Sequence, residues 1–253
     1  MNEIYNVNCL SLAAKLPPNS IDLICTSPPY AEQRKNQYGG VSEIDYPQWT
    51  VCWLEAFRHA LAERSSVAIV IRPHIKNGQI PDYILRTRLA VRAAGWVECE
   101  ELIWIKPDSP PLGSIYRPRR AWESVLWFSK NSTPFCDPKA NGTPSDRIGF
   151  ESKKGVGDYI KGIAPAKKGT ARCKDYVEIG TSKNQKNNQH PAQYPVELAS
   201  WIIRLLCPPG GCVCDPFLGS GATGVAAIKN GNHFCGSEIQ KKYFEIAQKN
   251  LTQ

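Results

Sequence analysis

The sequence predicts a three-layer α/β domain on a mainly parallel, seven-stranded sheet, and three observations carry that prediction. Short apolar runs, one of Ile21, Leu23, Ile24 and Cys25 and one over Val67–Ile71, suit strands covered on both faces. Between such runs lie helical stretches with one apolar stripe, as in Trp49, Cys52, Trp53, Ala56, Phe57, Ala60 and Leu61. Two of the strands run into loops that end pairing: Ser27-Pro28-Pro29-Tyr30 after the first, and Pro216-Phe217-Leu218-Gly219-Ser220-Gly221 after a strand closing at Asp215. The Asp215 strand is expected beside the Asp22 strand at the switch point of the sheet, with both loops opening on one edge.

In chain order, Ile4 to Asn8 reads as a short strand, and Ser11 as the N-cap of a one-turn helix reaching Lys15. Leu16 to Ser20 is a turn into the central strand, Ile21 to Cys25. After Tyr30 a polar loop runs from Ala31 to Glu43, with Arg34 and Lys35 near its start. Asp45 is placed as the cap of a helix over Tyr46–Glu63, followed by the strand Val67–Ile71 and a helix over Ile80–Ala94 that Gly95 ends. Val97–Lys106 and Trp122–Ser129 are two further strands. Their connection, Pro107 to Arg120, carries Arg117, Arg119 and Arg120, which can meet phosphates or form a solvated charge run.

From Asn131 to Gln189 periodicity is lost and no long element is expected. His190-Pro191 leads through Tyr194-Pro195 into a helix ending near Leu206. A strand closing at Asp215, a helix ending near Gly231, a strand His233–Glu238 and a helix Gln240–Leu251 complete the chain.

A length of 253 residues suits one large domain or a domain with an insertion. No amino-terminal signal pattern and no apolar run of the ~18 residues needed for a span is present, so a soluble, cytoplasmic protein is expected. Ten cysteines are scattered without a C-x-x-C pair, which points to reduced, mostly buried thiols and to no metal site. The formal charge is +8, and the segment 131–189 holds 11 basic residues against 6 acidic ones, over half of the excess. A polyanionic partner is the functional reading of that imbalance.

The two loops carry the chemistry. Pro28 and Pro29 remove two backbone donors and extend their predecessors, leaving the carbonyls of Ser27 and Pro28 without ladder partners. Unpaired acceptors, a hydroxyl and the flat ring of Tyr30 suit a planar amine. In the second loop Gly219 and Gly221 permit positive φ and close approach of backbone to a ligand, at the start of a helix with open donors. Glu238 ends the next strand 17 positions after Gly221, where an acidic residue accepts hydrogen bonds from ribose hydroxyls. Together with Asp215 and Phe217 this argues for a ligand containing adenosine. The absence of a Walker lysine after the glycines argues against ATP.

Asp215-Pro216-Phe217-Leu218-Gly219-Ser220-Gly221 resembles the S-adenosylmethionine loop of DNA methyltransferases, and Thr26-Ser27-Pro28-Pro29-Tyr30 resembles the catalytic loop of those that methylate exocyclic amines. The order, catalytic loop first and cofactor loop last, is similar to that of the permuted beta group, cytosine-N4-specific type. The resemblance covers Ile4–Ser129 and His190–Leu251. It implies a Rossmann-like methyltransferase fold with residues 1–130 as the catalytic half, 131–189 as an inserted target-recognition lobe and 190–253 as the cofactor half. It further implies S-adenosyl-L-methionine as cofactor and double-stranded DNA as partner.

By position, the resemblance places Phe217 against the cofactor, Gly219, Ser220 and Gly221 around its methionine end, and Glu238 on the ribose. Asn8 and Cys9 would border the adenine, where the family usually carries an acidic residue before a small one. Thr26, Asp215, His190 and Pro191 belong to the same cofactor surface. Ser27 and Pro28, with Pro29 and Tyr30, would hold the target amine and stack on the base. In the insertion Lys153, Lys154, Lys167 and Lys168, with Arg34 and Lys35 outside it, would hold DNA phosphates.

An exocyclic amine conjugated to a base ring is a poor nucleophile, so two acceptors aimed at its hydrogens would point its lone pair at the methyl donor, with no enzyme nucleophile. The base would have to flip out of the duplex. Serine at the first loop position resembles the cytosine-N4 enzymes more than the adenine-N6 enzymes, which stay the alternative. A non-catalytic DNA-binding relative and a nucleotide-dependent oxidoreductase are the other classes. The group allows a homodimer and a separately acting restriction endonuclease, although no stretch identifies an interface.

Overall fold

The computed structural model describes residues 2–32, 40–110, 115–145, 169–181 and 194–252. Its centre is an eight-stranded sheet in the order β1-β10-β9-β2-β3-β5-β4-β8. The strands are β1 (Asn2–Tyr5), β2 (Ile21–Thr26), β3 (Leu61–Ile71), β4 (Val97–Ile105), β5 (Trp122–Ser129), β8 (Tyr176–Glu178), β9 (Cys212–Asp215) and β10 (His233–Ser237). β6 (Pro144–Ser145) and β7 (Gly169–Thr170) form a separate antiparallel pair. All sheet neighbours run parallel except β5, which is antiparallel to both β3 and β4.

The apolar runs form strands because both faces of the sheet are covered. Along β2, Ile21 and Ile24 join one core cluster while Leu23 and Cys25 join the other; β3 alternates likewise, with Val67, Ile69 and Ile71 on one face and Ala68 and Val70 on the other. The first cluster is completed by α1 (Cys9–Ala13), α2 (Tyr46–Phe57) and α3 (Tyr83–Ala93). The second is completed by α4 (Val196–Leu206), α5 (Ala222–Lys229) and α6 (Lys241–Leu251). This is the three-layer arrangement expected. Among the described residues no helix is long and apolar enough to cross a membrane.

Several boundaries differ from the sequence reading. β1 ends at Tyr5, so Asn8 is free to be the N-cap of α1, its side chain accepting from the Ser11 amide at 2.8 Å. Asp45 occupies the cap position of α2 without a capping side-chain bond. Its carboxylate accepts instead from the Ser42 hydroxyl at 2.6 Å. α2 stops at Phe57, and β3 begins at Leu61 because that end of the apolar stripe pairs with Ile21 in the sheet. Cys52 and Cys136 are exposed rather than buried, while all ten cysteines are free thiols.

The eighth strand is the largest correction. Tyr176–Glu178 lies in the stretch read as an insertion without order, yet it pairs in parallel with Ile103–Ile105 and extends the sheet by one edge strand. The Trp104 indole donates to the Ile179 carbonyl at 2.8 Å and fixes that edge. At the other end of the insertion, Phe135 and Asp137 donate their amides to the carbonyls of Arg64 and Leu205, at 2.8 Å each. The described flanks of the insertion are thus built onto the main domain.

The two predicted loops meet where expected. β9 lies beside β2, with Val213 opposite Leu23 and Cys214 opposite Ile24. From β9 the chain proceeds outward through β10, and from β2 it proceeds the other way to β3, so the topological switch falls between them. Both strands are parallel and end at the same sheet edge.

Candidate active site

The catalytic loop and the glycine loop are joined by a buried carboxylate. Asp215, at the end of β9, is 1% exposed. Its Oδ1 accepts from the Thr26 hydroxyl at 2.6 Å and the Phe217 amide at 3.0 Å. Its Oδ2 accepts from the Thr223 hydroxyl at 2.5 Å, and Tyr194 bonds Thr223 in turn. Burial pushes the Asp215 carboxyl up from its ordinary range, while the Thr223 and Thr26 hydroxyls pull it back. With each oxygen engaged by the protein, Asp215 is placed to hold both loops in register.

The glycine loop owes its shape to backbone that other residues adopt poorly. Gly219 has φ of 54° and Gly221 of 92°. The Gly219 amide donates to Glu238 Oε2 at 2.9 Å, and the Gln240 amide donates to Oε1 at 2.8 Å. Glu238 is 5% exposed, and burial raises its pKa. It therefore ties the loop after β9 to the turn after β10, and each carboxylate oxygen retains a second acceptor site. Gly221 has the positive φ expected and meets a second need as well. A Cβ there would stand 3.3 Å from Cα and Cβ of Ala247, so the close approach it permits is that of α6.

Two further features of this loop bear on ligand binding. The Ser220 hydroxyl oxygen is buried without a hydrogen-bond partner among the described residues, although its residue's carbonyl accepts from Asn250 at 2.8 Å. Phe217 packs against two tryptophans of α2, its ring centroid 5.5 Å from those of both Trp49 and Trp53. The apolar stripe of α2 thus supports the glycine loop, a link that the stripe alone does not reveal.

On the catalytic side, Pro28 is buried, and Ser27, Pro29 and Tyr30 are half-buried at the edge of the sheet. The Tyr30 hydroxyl donates to Glu123 Oε2 at 2.7 Å, and Lys106 pairs with the other oxygen of Glu123. Burial and the Glu123 charge push the Tyr30 hydroxyl well above its ordinary pKa, against the opposing hydrogen bond from Ser27. The phenol stays neutral, and its ring orientation is set from the side of β5.

Other predicted residues fall differently. Asn8 spends its side-chain acceptor on the α1 cap and is exposed, while Cys9 is half-buried with a thiol pushed up to about 11 by burial. Arg117 and Arg120 donate to the carbonyls of Gly78 and Pro73, and Arg119 donates to that of Ser109 at 3.3 Å. These arginines pin their loop as well as charging it. Arg34, Lys35, Lys153, Lys154, Lys167, Lys168, His190 and Pro191 lie outside the described residues. Sequence reasoning missed Thr223, Tyr194, Glu123 and the role of Trp49 and Trp53, because each depends on contacts between segments apart in sequence.

Known proteins resemble this chain in sequence and in fold. The chain is 27% identical over 265 residues to the type II methyltransferase M.BglII of Bacillus subtilis, covering 100% of this chain and 69% of that protein. It is 27% identical over 274 residues to the type II methyltransferase M.PvuII of Proteus hauseri, covering 95% of this chain and 80% of that protein. Among solved structures, the PvuII DNA methyltransferase (cytosine-N4-specific) superposes with a TM-score of 0.76 at 23% identity, covering 98% of this chain and 86% of that one. The M1.HpyAVI–SAM complex superposes with a TM-score of 0.67 at 19% identity, with 100% of each chain covered. These likenesses show the fold, and the family follows from a family model described as DNA methylase, which matches residues 21–249. The chain belongs to that family.

Proposed function

We propose that this protein transfers the methyl group of S-adenosyl-L-methionine to the exocyclic N4 amine of a cytosine flipped out of double-stranded DNA. The observation that carries the reading is the Thr26–Asp215 contact of 2.6 Å, which holds Ser27-Pro28-Pro29-Tyr30 against the glycine loop at one sheet edge.

The residues present suit the cofactor. The unpartnered buried Ser220 hydroxyl, the left-handed Gly219 and the open amides at the start of α5 supply polar contacts. Glu238 has acceptor capacity left for ribose hydroxyls, and Phe217 offers a ring edge backed by Trp49 and Trp53. When bound, the cofactor supplies an electrophilic methyl group on a sulfonium.

The protein's part is positioning. Ser27 and the carbonyl of Pro28 accept from the two amine hydrogens, favouring the pyramidal amine with its lone pair directed at the donor methyl. Tyr30, held by Glu123, stacks on the flipped base and offsets the few kcal/mol that unstacking costs. The methylated amine, cationic after transfer, loses its proton to water, and no covalent enzyme intermediate is required.

Cytosine is favoured over adenine by serine at position 27 and by the names of PvuII methyltransferase among the structural likenesses. The type II names of the relatives support a companion restriction endonuclease acting separately, and gel filtration of the purified chain tests a homodimer. Methylation of unmodified plasmid DNA by the purified protein, with the product nucleoside identified by mass spectrometry, tests the function. N6-methyladenine as the sole product would replace the base while keeping the reaction.

A further inference from the structure

The edge of the sheet beyond the catalytic loop carries a charge imbalance that the methyl-transfer chemistry does not use. β5 runs antiparallel to β3 with Ser124 opposite Ile71, so the next pair along is Glu123 and Arg72. On its other side β5 pairs with β4, placing Trp104 opposite Glu123 and Ile105 opposite Trp122. Arg72 and Lys106, just past the ends of β3 and β4, are therefore brought together with Glu123 near the start of β5, beside Tyr30.

The contacts around Glu123 are specific. Its oxygens take the Tyr30 hydroxyl at 2.7 Å and the Lys106 ammonium, whose nitrogen also stands 4.2 Å from the centroid of the Trp104 ring. The Arg72 guanidinium lies 5.0 Å over the Trp122 ring, which holds it in place by its face. The Nε of Arg72 is buried without a hydrogen-bond partner among the described residues. Arg120 is tethered to the Pro73 carbonyl, next to Arg72 in sequence, and its charge is felt by Arg72.

Among the described residues the three cations Arg72, Lys106 and Arg120 thus share the carboxylate of Glu123, and none of the three is fully exposed. Burial and the Arg120 charge bring Arg72 down to about 10, so it remains protonated at neutral pH. A partly desolvated excess of positive charge is costly unless an anion completes it. A neutral base edge would not neutralise it; a phosphodiester would, and a guanidinium fork matches phosphate geometry.

We propose that Arg72, with Arg120 beside it, binds a backbone phosphate flanking the flipped nucleotide and so fixes the DNA strand against Tyr30. The proposal rests on the DNA methyltransferase reading, and it makes Arg72 a positioning residue. Glu123 then has two tasks: it orients the stacking ring and sets the spacing of the cations around the phosphate.

The test uses the full chain with a duplex carrying the site found by sequencing plasmid methylated in the expression host. Binding is measured over a range of salt for the wild type, R72Q, R72K and R120Q, with cofactor binding as the check on folding. The expected result is a salt dependence less steep by about 0.9 in log–log slope for R72Q, largely restored in R72K. Duplexes with single methylphosphonates on either side of the cytosine locate the contact. One position should weaken wild-type binding and leave R72Q unaffected. If R72Q does not bind cofactor, R120Q is read by the same criteria. An unchanged slope, or R72Q as sensitive as wild type at every methylphosphonate, overturns the proposal. A wild type that neither binds nor methylates duplex DNA overturns the functional reading itself.

Discussion

The Thr26 hydroxyl donates to Asp215 Oδ1 at 2.6 Å across 189 residues of sequence. One hydrogen bond therefore joins the strand that delivers the catalytic loop to the strand that delivers the glycine loop. Both partners are buried, so the bond is shielded from competing water. The relative position of the two loops, which decides whether an amine can meet a methyl donor, is set largely there.

Removing the donor tests this coupling. Thr26→Val keeps shape and leaves Asp215 Oδ1 with the Phe217 amide alone. The expected loss is about 1–3 kcal/mol of stability, read from urea midpoints, with weaker cofactor binding by calorimetry. Unchanged values in both would mean that the bond does not couple the loops.

Ser27 and Tyr30 are assigned to the base rather than the cofactor. Ser27→Ala and Tyr30→Ala should retain S-adenosylmethionine binding while kcat falls by about 10²-fold for the serine, the scale of losing one preorganised polar contact. Loss of cofactor binding in either variant would contradict this division of labour.

Tyr30→Phe removes the hydroxyl's bond to Glu123 together with the one from Ser27. The ring remains, and the 2.7 Å hydrogen bond is lost. Stability should fall by about 1 kcal/mol, with DNA-dependent KM rising more than kcat falls, because the ring is still present but less well oriented. An equal fall in kcat and kcat/KM with KM unchanged would instead place the hydroxyl in the chemical step.

Glu238 gives a pH prediction with a definite sign. Burial raises its pKa in the folded chain above the ordinary 4.5. The folded state then holds the proton to higher pH than the unfolded state, so this group's contribution is full below about 4.5 and declines as pH rises through the folded value. The stability of wild type relative to Glu238→Gln, measured by urea denaturation across that range, should fall with rising pH and then level off. A difference that grows with pH would contradict the burial. The same variant should weaken cofactor binding through loss of acceptor sites at Gly219 and the ribose.

The strands were legible because both faces of the sheet are buried, which leaves Leu23–Cys25 in β2 and Val67–Ile71 in β3 as apolar runs whose alternation appears only in three dimensions. The glycine loop was legible because positive φ at Gly219 and Gly221 restricts residue choice. β8 was hidden because three residues in a polar stretch gain their order from pairing with β4. The cap of α1 was misplaced because Asn8 and Ser11 are both good capping residues, and the end of β1 at Tyr5 decides between them. Glu123 and Arg72 could not be joined by spacing, since only the β3–β5 register sets them side by side.

The central claim is most directly tested by incubating the purified protein with labelled S-adenosylmethionine and unmethylated duplex DNA, digesting to nucleosides and identifying the product by mass spectrometry. The account predicts labelled N4-methylcytosine from wild type and none from Ser27→Ala. Labelled N6-methyladenine, or no methylated nucleoside despite measurable cofactor binding, would contradict it.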